Sequence, residues 1–443
     1  MCSAKLSENV IHPLENPEYN FVNEEQVFEN LVFYNFGAST KMRVLIAASG
    51  EHGHNVPMLP LVHDLRRADP TVTIFWATDE KEKKVPESCG VEWIPLNYHY
   101  DESISYGMSA PARQIHLVNA KYPEFLETVQ QLDPHVVIYD YFCVIAAVVG
   151  EKLGIPTVCF RSGQPSEKPV SSMPCFEDQN LQQLASDVAL EKHQLVIDYR
   201  TPYLEYYSKN MNLFQVPISW LGPSVIEMSV PYFTIGPSVV ARPLSPSCKD
   251  MIDTFQKGNP ACKVLISMGT VQGQAAKRPI EDQQAFFTVF VSTARLMPDA
   301  TFVLSIAGTE DILDMKLLNP PSNCTVSSYV PQLEILKHAN VFVSHCGANS
   351  LHESLWSGVP IVAIPIFADQ PDNANRVVEN GWGLQLNWKD LTPEKLSDAI
   401  KSVASNPDIR QNIVAAGVLE DEAISGRRQV VEEIFKLAAT KMK

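Results

Sequence analysis

Asn349 and Glu353 stand four residues apart just behind a glycine turn, a spacing suited to holding a nucleotide. Ahead of them a β-branched run, Val341 to Val343, stops at Ser344-His345-Cys346-Gly347. A helical pattern follows, with Leu351, Leu355 and Trp356 on one side and Asn349 and Glu353 on the other. A strand that feeds a turn and then a helix leaves several backbone N–H groups aimed at one spot. The helix dipole makes that spot attractive to an anion such as a diphosphate. Residues four apart share a helix face, so an amide near the turn can touch phosphate. A carboxylate one turn further can accept hydrogen bonds from two ribose hydroxyls. Gly358-Val359-Pro360 closes the helix before a second buried strand, and Asp369-Gln370 falls at that strand's carboxyl end. Open α/β sheets place ligands there. These are the features of a nucleotide-sugar site.

The same positions resemble the donor-binding signature of the UDP-dependent glycosyltransferases of family 1, which have the GT-B fold. The resemblance rests on Pro331-Gln332, His345-Cys346-Gly347, Asn349-Ser350, Glu353, Gly358-Val359-Pro360, Pro365 and Asp369-Gln370, in the family's order. It runs from Met42 onward and leaves residues 1–41 outside. It departs from the family pattern at Tyr329, where Trp is usual before Val330-Pro331-Gln332, and at Ala348, where plant members carry Trp. A tyrosine ring still offers a flat face to uracil, whereas Ala348 removes a bulky wall beside the sugar. The resemblance implies an α/β fold of two Rossmann-like domains facing across a cleft, with the acceptor in the first and UDP-glucose in the second. Donor contacts then fall on Gly53, Ser267, Gly269, Thr270, Tyr329, Val330, Gln332, His345, Gly347, Ala348, Asn349, Ser350, Glu353, Asp369 and Gln370. Ser267-Met268-Gly269-Thr270 ends the second half's first strand, where small residues let the backbone approach a phosphate. Gln370 is associated with glucose in the family.

A second constellation lies near the other end of the chain. The first turn after the first strand reads Gly53-His54-Asn55-Val56-Pro57, with Pro57 in a first helical turn and Asn55 as a plausible cap. A neutral imidazole at His54 could take a proton from an acceptor hydroxyl, or His54 could simply cap the helix. The family places its catalytic base at the His of this Gly-His-x-x-Pro pattern. His52 is the rival, and a zinc reading of His52-Gly53-His54 lacks further ligands in a matching cluster. A base of this kind usually has a carboxylate orienting its far nitrogen. Asp140, at the end of a strand in Tyr139-Asp140-Tyr141-Phe142, is the candidate, with capping of the next helix as its bland alternative.

These residues need two alternating βα halves to position them. The first half predicts strands at 43–48, 71–78, 91–96, 136–139 and 157–161, with helices over about 56–67, 110–132 and 144–153. The second predicts strands at 263–267, 301–305 and 324–328 and helices at 280–296 and 332–337. Three more helices follow near 393–405, 408–422 and 426–441. Strands separated by helix-length patterns argue for parallel sheets. The expected divisions are a 1–41 extension, a 42–238 acceptor domain, a 239–250 linker and a 251–425 donor domain. The 426–443 helix is expected to pack back on the first domain. Residues 164–231 resist assignment. Met173, Phe176, Tyr203, Tyr206, Tyr207, Met211 and Phe214 there suggest an apolar pocket, although core packing is the default role for any one of them. With Phe142, Met173 and Phe176 stand as the acceptor-binding candidates.

Composition narrows the class. A chain of 443 residues, 45% hydrophobic, exceeds what one core usually supports. Its net charge of −16 argues against nucleic acid or an anionic membrane surface as partner. No run approaches about 18 consecutive apolar residues, and the first residues lack a secretory signal's apolar core. The nine cysteines lack paired spacing, which suits free thiols in a reducing compartment. The expectation is a cytoplasmic monomer that binds a UDP-sugar and a small lipophilic alcohol or phenol, with no membrane partner. No Asp-x-Asp occurs to hold a divalent ion on a diphosphate. No metal is therefore expected, and no cofactor beyond UDP-glucose as co-substrate.

Overall fold

The computed structural model describes residues 41–96, 110–163, 187, 189–194, 207–221, 229–237, 244–259, 261–269, 282–367 and 369–442. The expected tail at 1–41 lies outside these residues apart from Lys41. Thr270, Met173, Phe176, Tyr203 and Tyr206 lie outside them as well. The chain separates into two compact units, with divisions at Val240/Ala241 and Asp421/Glu422.

The first unit is built on a seven-stranded parallel sheet of order β3-β2-β1-β4-β5-β6-β7. Its strands are β1 (Arg43–Ala47), β2 (Thr73–Thr78), β3 (Glu92–Pro95), β4 (Val136–Asp140), β5 (Thr157–Arg161), β6 (Met211–Phe214) and β7 (Tyr232–Thr234). Strands buried on both faces read as continuous apolar runs, and β1 (RVLIA) does so. Val44 and Ile46 enter one core with Leu61, Val62 and Leu65 of α2 (Leu59–Ala68). Leu45 and Ala47 enter the opposite core with α4 (Ala110–Leu132) and α5 (Val144–Lys152). Between β1 and α2 the chain makes one helical turn, α1 (His52–Asn55), and a 3₁₀ turn, Val56–Met58. A short helix, α3 (Lys84–Ser88), precedes β3.

The second unit repeats the plan with a six-stranded parallel sheet of order β10-β9-β8-β11-β12-β13. Its strands are β8 (Lys263–Ser267), β9 (Thr301–Ser305), β10 (Cys324–Ser327), β11 (Val341–Ser344), β12 (Ile361–Ala363) and β13 (Gly383–Gln385). The helices are α6 (Pro246–Lys257), α7 (Gln283–Leu296), α8 (Met315–Leu318), α9 (Gln332–Leu336), α10 (Ala348–Trp356), α11 (Gln370–Glu379), α12 (Pro393–Ser405) and α13 (Pro407–Ser425). Both sheets are Rossmann-like, and the two-domain architecture is that of the GT-B fold. Each sheet reverses its strand order once, at β1/β4 and at β8/β11, and His54, Asp140, Ser267, Gly269 and Asn349 sit at those reversals.

The linker is shorter than expected. Ser245 caps α6 by accepting from the Cys248 N–H, and Pro246 occupies the first helical turn, so the helix begins well before residue 250. The last helix, α14 (Arg427–Lys441), belongs to the first unit. Its Val430, Val431, Ile434, Phe435 and Ala438 enter the same core as Val44 and Ile46. Arg427 fixes the docking. Its Nε donates to Asp64 Oδ2 at 2.7 Å and its Nη2 to Asp64 Oδ1 at 2.9 Å, with both side chains at most 5% exposed. The planar guanidinium matches both carboxylate oxygens, a geometry that lysine lacks. Among the described residues no helix is long and apolar enough to cross a membrane.

Candidate active site

The turn after β1 presents two histidines that face different partners. His54 Nδ1 lies 2.9 Å from Asp140 Oδ1, and the Asp140 side chain is fully buried at the end of β4. The second carboxylate oxygen accepts from the Ser49 N–H at 3.4 Å. A buried carboxylate requires such donors, so a neutral His54 paired this way carries its proton on Nδ1 and its lone pair on Nε2. Tyr141 and Phe142 hold the imidazole from the side, with ring centroids 5.4 Å and 4.8 Å away. The Arg161 guanidinium in turn lies over the Tyr141 ring at 4.5 Å. His54 keeps 17% of its side-chain surface exposed.

The geometry sets aside the capping alternatives. Asp140 does not cap the following helix, since α5 has no side-chain cap. Nor does Asn55 cap the helix after it. It is fully buried in helical conformation, donates to the Ser49 and Glu51 carbonyl oxygens, and accepts from the Trp76 indole. Those three bonds pin the turn that carries His54. His52 turns away and meets Glu82 Oε2 at 2.9 Å. Among the described residues no group of three or more His, Cys, Asp or Glu side chains could hold a metal ion.

In the second unit, the turn between β11 and α10 is tightly constrained. Cys346 adopts a left-handed backbone, φ 62°, a conformation that costs a non-glycine residue energy. His345 lies so close to Gly269 and Gly347 that a Cβ on either would come within 2.6 Å of its Nε2. Glycine at both positions therefore makes room for the ring, and Gly269 also has φ 76°. Burial pushes the His345 pKa down to about 4, so the ring is neutral near pH 7. Any positive potential offered to a phosphate here comes from the N-terminus of α10 instead.

Gln332, at the start of α9, donates from Nε2 to Glu353 Oε2 at 2.5 Å and to Ser350 Oγ at 3.3 Å. The structure thus joins three residues that sequence placed at the donor site. Tyr329 stands nearby in sequence with half its surface exposed, as a stacking platform requires, while Val330 packs into the core beneath. Gln370 binds its own loop through the amide oxygen. It is buried, and its Oε1 accepts from the Ile366 and Phe367 N–H groups, which holds the loop after β12. That oxygen is committed to the backbone and not to a sugar hydroxyl. Asp369 is exposed, and the amide beside it that sequence reasoning passed over is Asn373. Its signal was present: Asp369 and Asn373 are four apart at the start of a helix.

Residues 297–423, which carry Gln332, His345, Glu353 and Asp369, match the family model described as UDP-glucoronosyl and UDP-glucosyl transferase. The chain is a glycosyltransferase, and this segment is similar to that family. The NDP-glycosyltransferase YjiC of Bacillus licheniformis is 26% identical to it, across 84% of this chain and 93% of that protein. The rat 2-hydroxyacylsphingosine 1-beta-galactosyltransferase reaches 40% identity, but over only 21% of this chain and 18% of its own length. In fold, this glycosyltransferase is similar to the glycotransferase of kitacinnamycin, with TM-score 0.72, 20% identity, and 90% and 99% of the two chains covered. Medicago truncatula UGT71G1, solved with UDP-glucose, gives TM-score 0.67 at 16% identity, covering 91% of this chain and 99% of that one.

Proposed function

We propose that this enzyme transfers glucose from UDP-glucose, with inversion, to a hydroxyl of a small lipophilic acceptor such as a flavonoid, another phenol or a xenobiotic. The observation that carries the reading is the 2.9 Å contact between His54 Nδ1 and the buried carboxylate of Asp140. Donor binding alone requires neither residue. In the proposed reaction His54 Nε2 removes the acceptor's hydroxyl proton as that oxygen attacks the anomeric carbon. The bond from the anomeric carbon to the diphosphate oxygen breaks, and UDP leaves with the bonding pair. Asp140 stabilises the imidazolium, and the α10 N-terminus with Asn349 and Ser350 takes up the departing charge. Glu353, held by Gln332, would accept from the two ribose hydroxyls, and Asp369 would hold the sugar.

Glu353→Ala is expected to weaken UDP binding by about 1–3 kcal/mol, since both ribose hydroxyls lose a charged acceptor. Calorimetry with UDP and 2′-deoxy-UDP checks this, and equal affinities of the unmodified enzyme for both would remove the ribose role. The same measurement tests a second reading, a thymidine-diphosphate sugar donor. Spinosyn rhamnosyltransferase SpnG, solved with thymidine diphosphate, shares the fold, but Glu353 favours a ribose with two hydroxyls.

An apolar acceptor pocket discriminates weakly between similar ligands, because its contacts are non-directional. Several unrelated phenols are therefore expected to be glucosylated at comparable efficiency, ahead of aliphatic alcohols, which ionise less readily. Turnover should persist in excess EDTA, because a helix N-terminus serves the diphosphate. A single steroid or macrolide accepted to the exclusion of every phenol would overturn the acceptor class. Loss of turnover on chelation, restored by Mn²⁺, would overturn the diphosphate site. A cytoplasmic location fits the seven described cysteines, all of them free thiols.

A further inference from the structure

Asn373 is 3% exposed, and its single Nδ2 makes two hydrogen bonds of equal length. One goes to the Cys346 carbonyl oxygen at 2.8 Å and the other to Asp369 Oδ2 at 2.8 Å. Those acceptors belong to different parts of the second unit. The Cys346 carbonyl is part of the left-handed turn that aims the N-terminus of α10, whereas Asp369 immediately precedes α11. A primary amide has two N–H bonds about 120° apart, and here both are used. We propose that Asn373 is a positioning residue that couples the diphosphate turn to the sugar-holding carboxylate, so that nucleotide and hexose are held in one register.

The coupling follows from the alternatives open to each acceptor. Without Asn373, the Cys346 carbonyl sits in a strained backbone conformation and loses a donor that opposes its relaxation. Asp369 Oδ2 would lose the second N–H of the same amide, which fixes the direction of that oxygen at 2.8 Å. One rigid amide orders both, and neither Gln370 nor Asp372 can replace it. Gln370 Oε1 is bound to the 366–367 backbone, and a carboxylate such as Asp372 has no proton to donate when ionised. Through this residue a sugar that engages Asp369 also favours the turn geometry that binds the diphosphate.

The inference rests on the proposed sugar role of Asp369, and a double-mutant cycle separates the two. Asn373→Asp is nearly isosteric but replaces both donors with acceptors facing a carboxylate and a carbonyl. It is expected to raise the KM for UDP-glucose about 10-fold or more, and to weaken UDP itself, measured by calorimetry, only a few-fold. Asp369→Ala alone should also raise the KM. In the Asp369→Ala background the Asn373→Asp change should add no more than the few-fold loss seen with UDP, because the group it repels is gone. Thermal unfolding of each variant accompanies the cycle, and if Asn373→Asp does not fold, Asn373→Ala takes its place. Independent effects on KM that multiply within two-fold would overturn the coupling while leaving Asp369 on the sugar. An unchanged KM in Asp369→Ala would overturn the sugar role itself, and the coupling with it.

Discussion

Replacing His54 with alanine is expected to lower turnover on a hydroxyl acceptor by about 10²–10⁴-fold while UDP affinity stays nearly unchanged. The loss is confined to chemistry because His54 lies in the first unit, whereas Gln332, Asn349, Ser350 and Glu353, proposed to hold the nucleotide, lie in the second. Asp140→Asn should do less damage of the same kind. The amide oxygen can still accept from Nδ1–H, but it no longer offsets the positive charge that develops on the ring. His52→Ala is the control, since His52 faces Glu82. Single-turnover rates on one phenol decide the matter: full activity in His54→Ala with loss in His52→Ala would move the base by two residues.

Arg427→Ala is expected to destabilise the first unit by about 3–5 kcal/mol, because it strands the Asp64 carboxylate in a site where that side chain is 2% exposed. Whole domains are typically stable by only about 5–15 kcal/mol, so this single change takes a large share of the margin. The pair itself is worth less than that figure, since desolvating two ions offsets much of their attraction. Replacing both residues, as in Arg427→Met with Asp64→Leu, should therefore recover most of the loss. Urea unfolding followed by fluorescence of Trp76, wholly buried in that core, provides the reading. A cost below about 1 kcal/mol in the single variant would mean that water reaches the pair.

The boundaries that sequence located best are those with strong local chemistry. Pro393 in a first turn behind a Thr392 cap marks the start of α12, and the β-branched run of β8 marks a buried strand. Strand β6 was hidden because MNLF is buried on both faces and shows no alternation, so Met211 and Phe214 resembled pocket residues. Both are core residues of the sheet, at most 1% exposed. Strand β13 is three residues long and begins at a glycine that lies against the Ile361 backbone. The His54–Asp140 contact spans 86 positions in sequence, a separation over which composition and periodicity say nothing about distance. Gln370 and Asn373 carry the same functional group on the same helix. Only the course of the backbone sends one amide to the 366–367 loop and the other to Asp369.

The return of α14 also sets a timetable for synthesis. Val430, Val431, Ile434, Phe435 and Ala438 fill a core whose other members, from Met42 to Ile235, leave the ribosome earlier. Between them the ribosome must translate residues 241–421, a complete unit with its own sheet. At roughly 5–20 residues per second that interval lasts on the order of ten seconds. During it the nascent first sheet has one apolar face without its final cover, a condition that invites misassembly or a holding chaperone. Vectorial folding therefore runs out of order in this protein: the unit begun first is finished last.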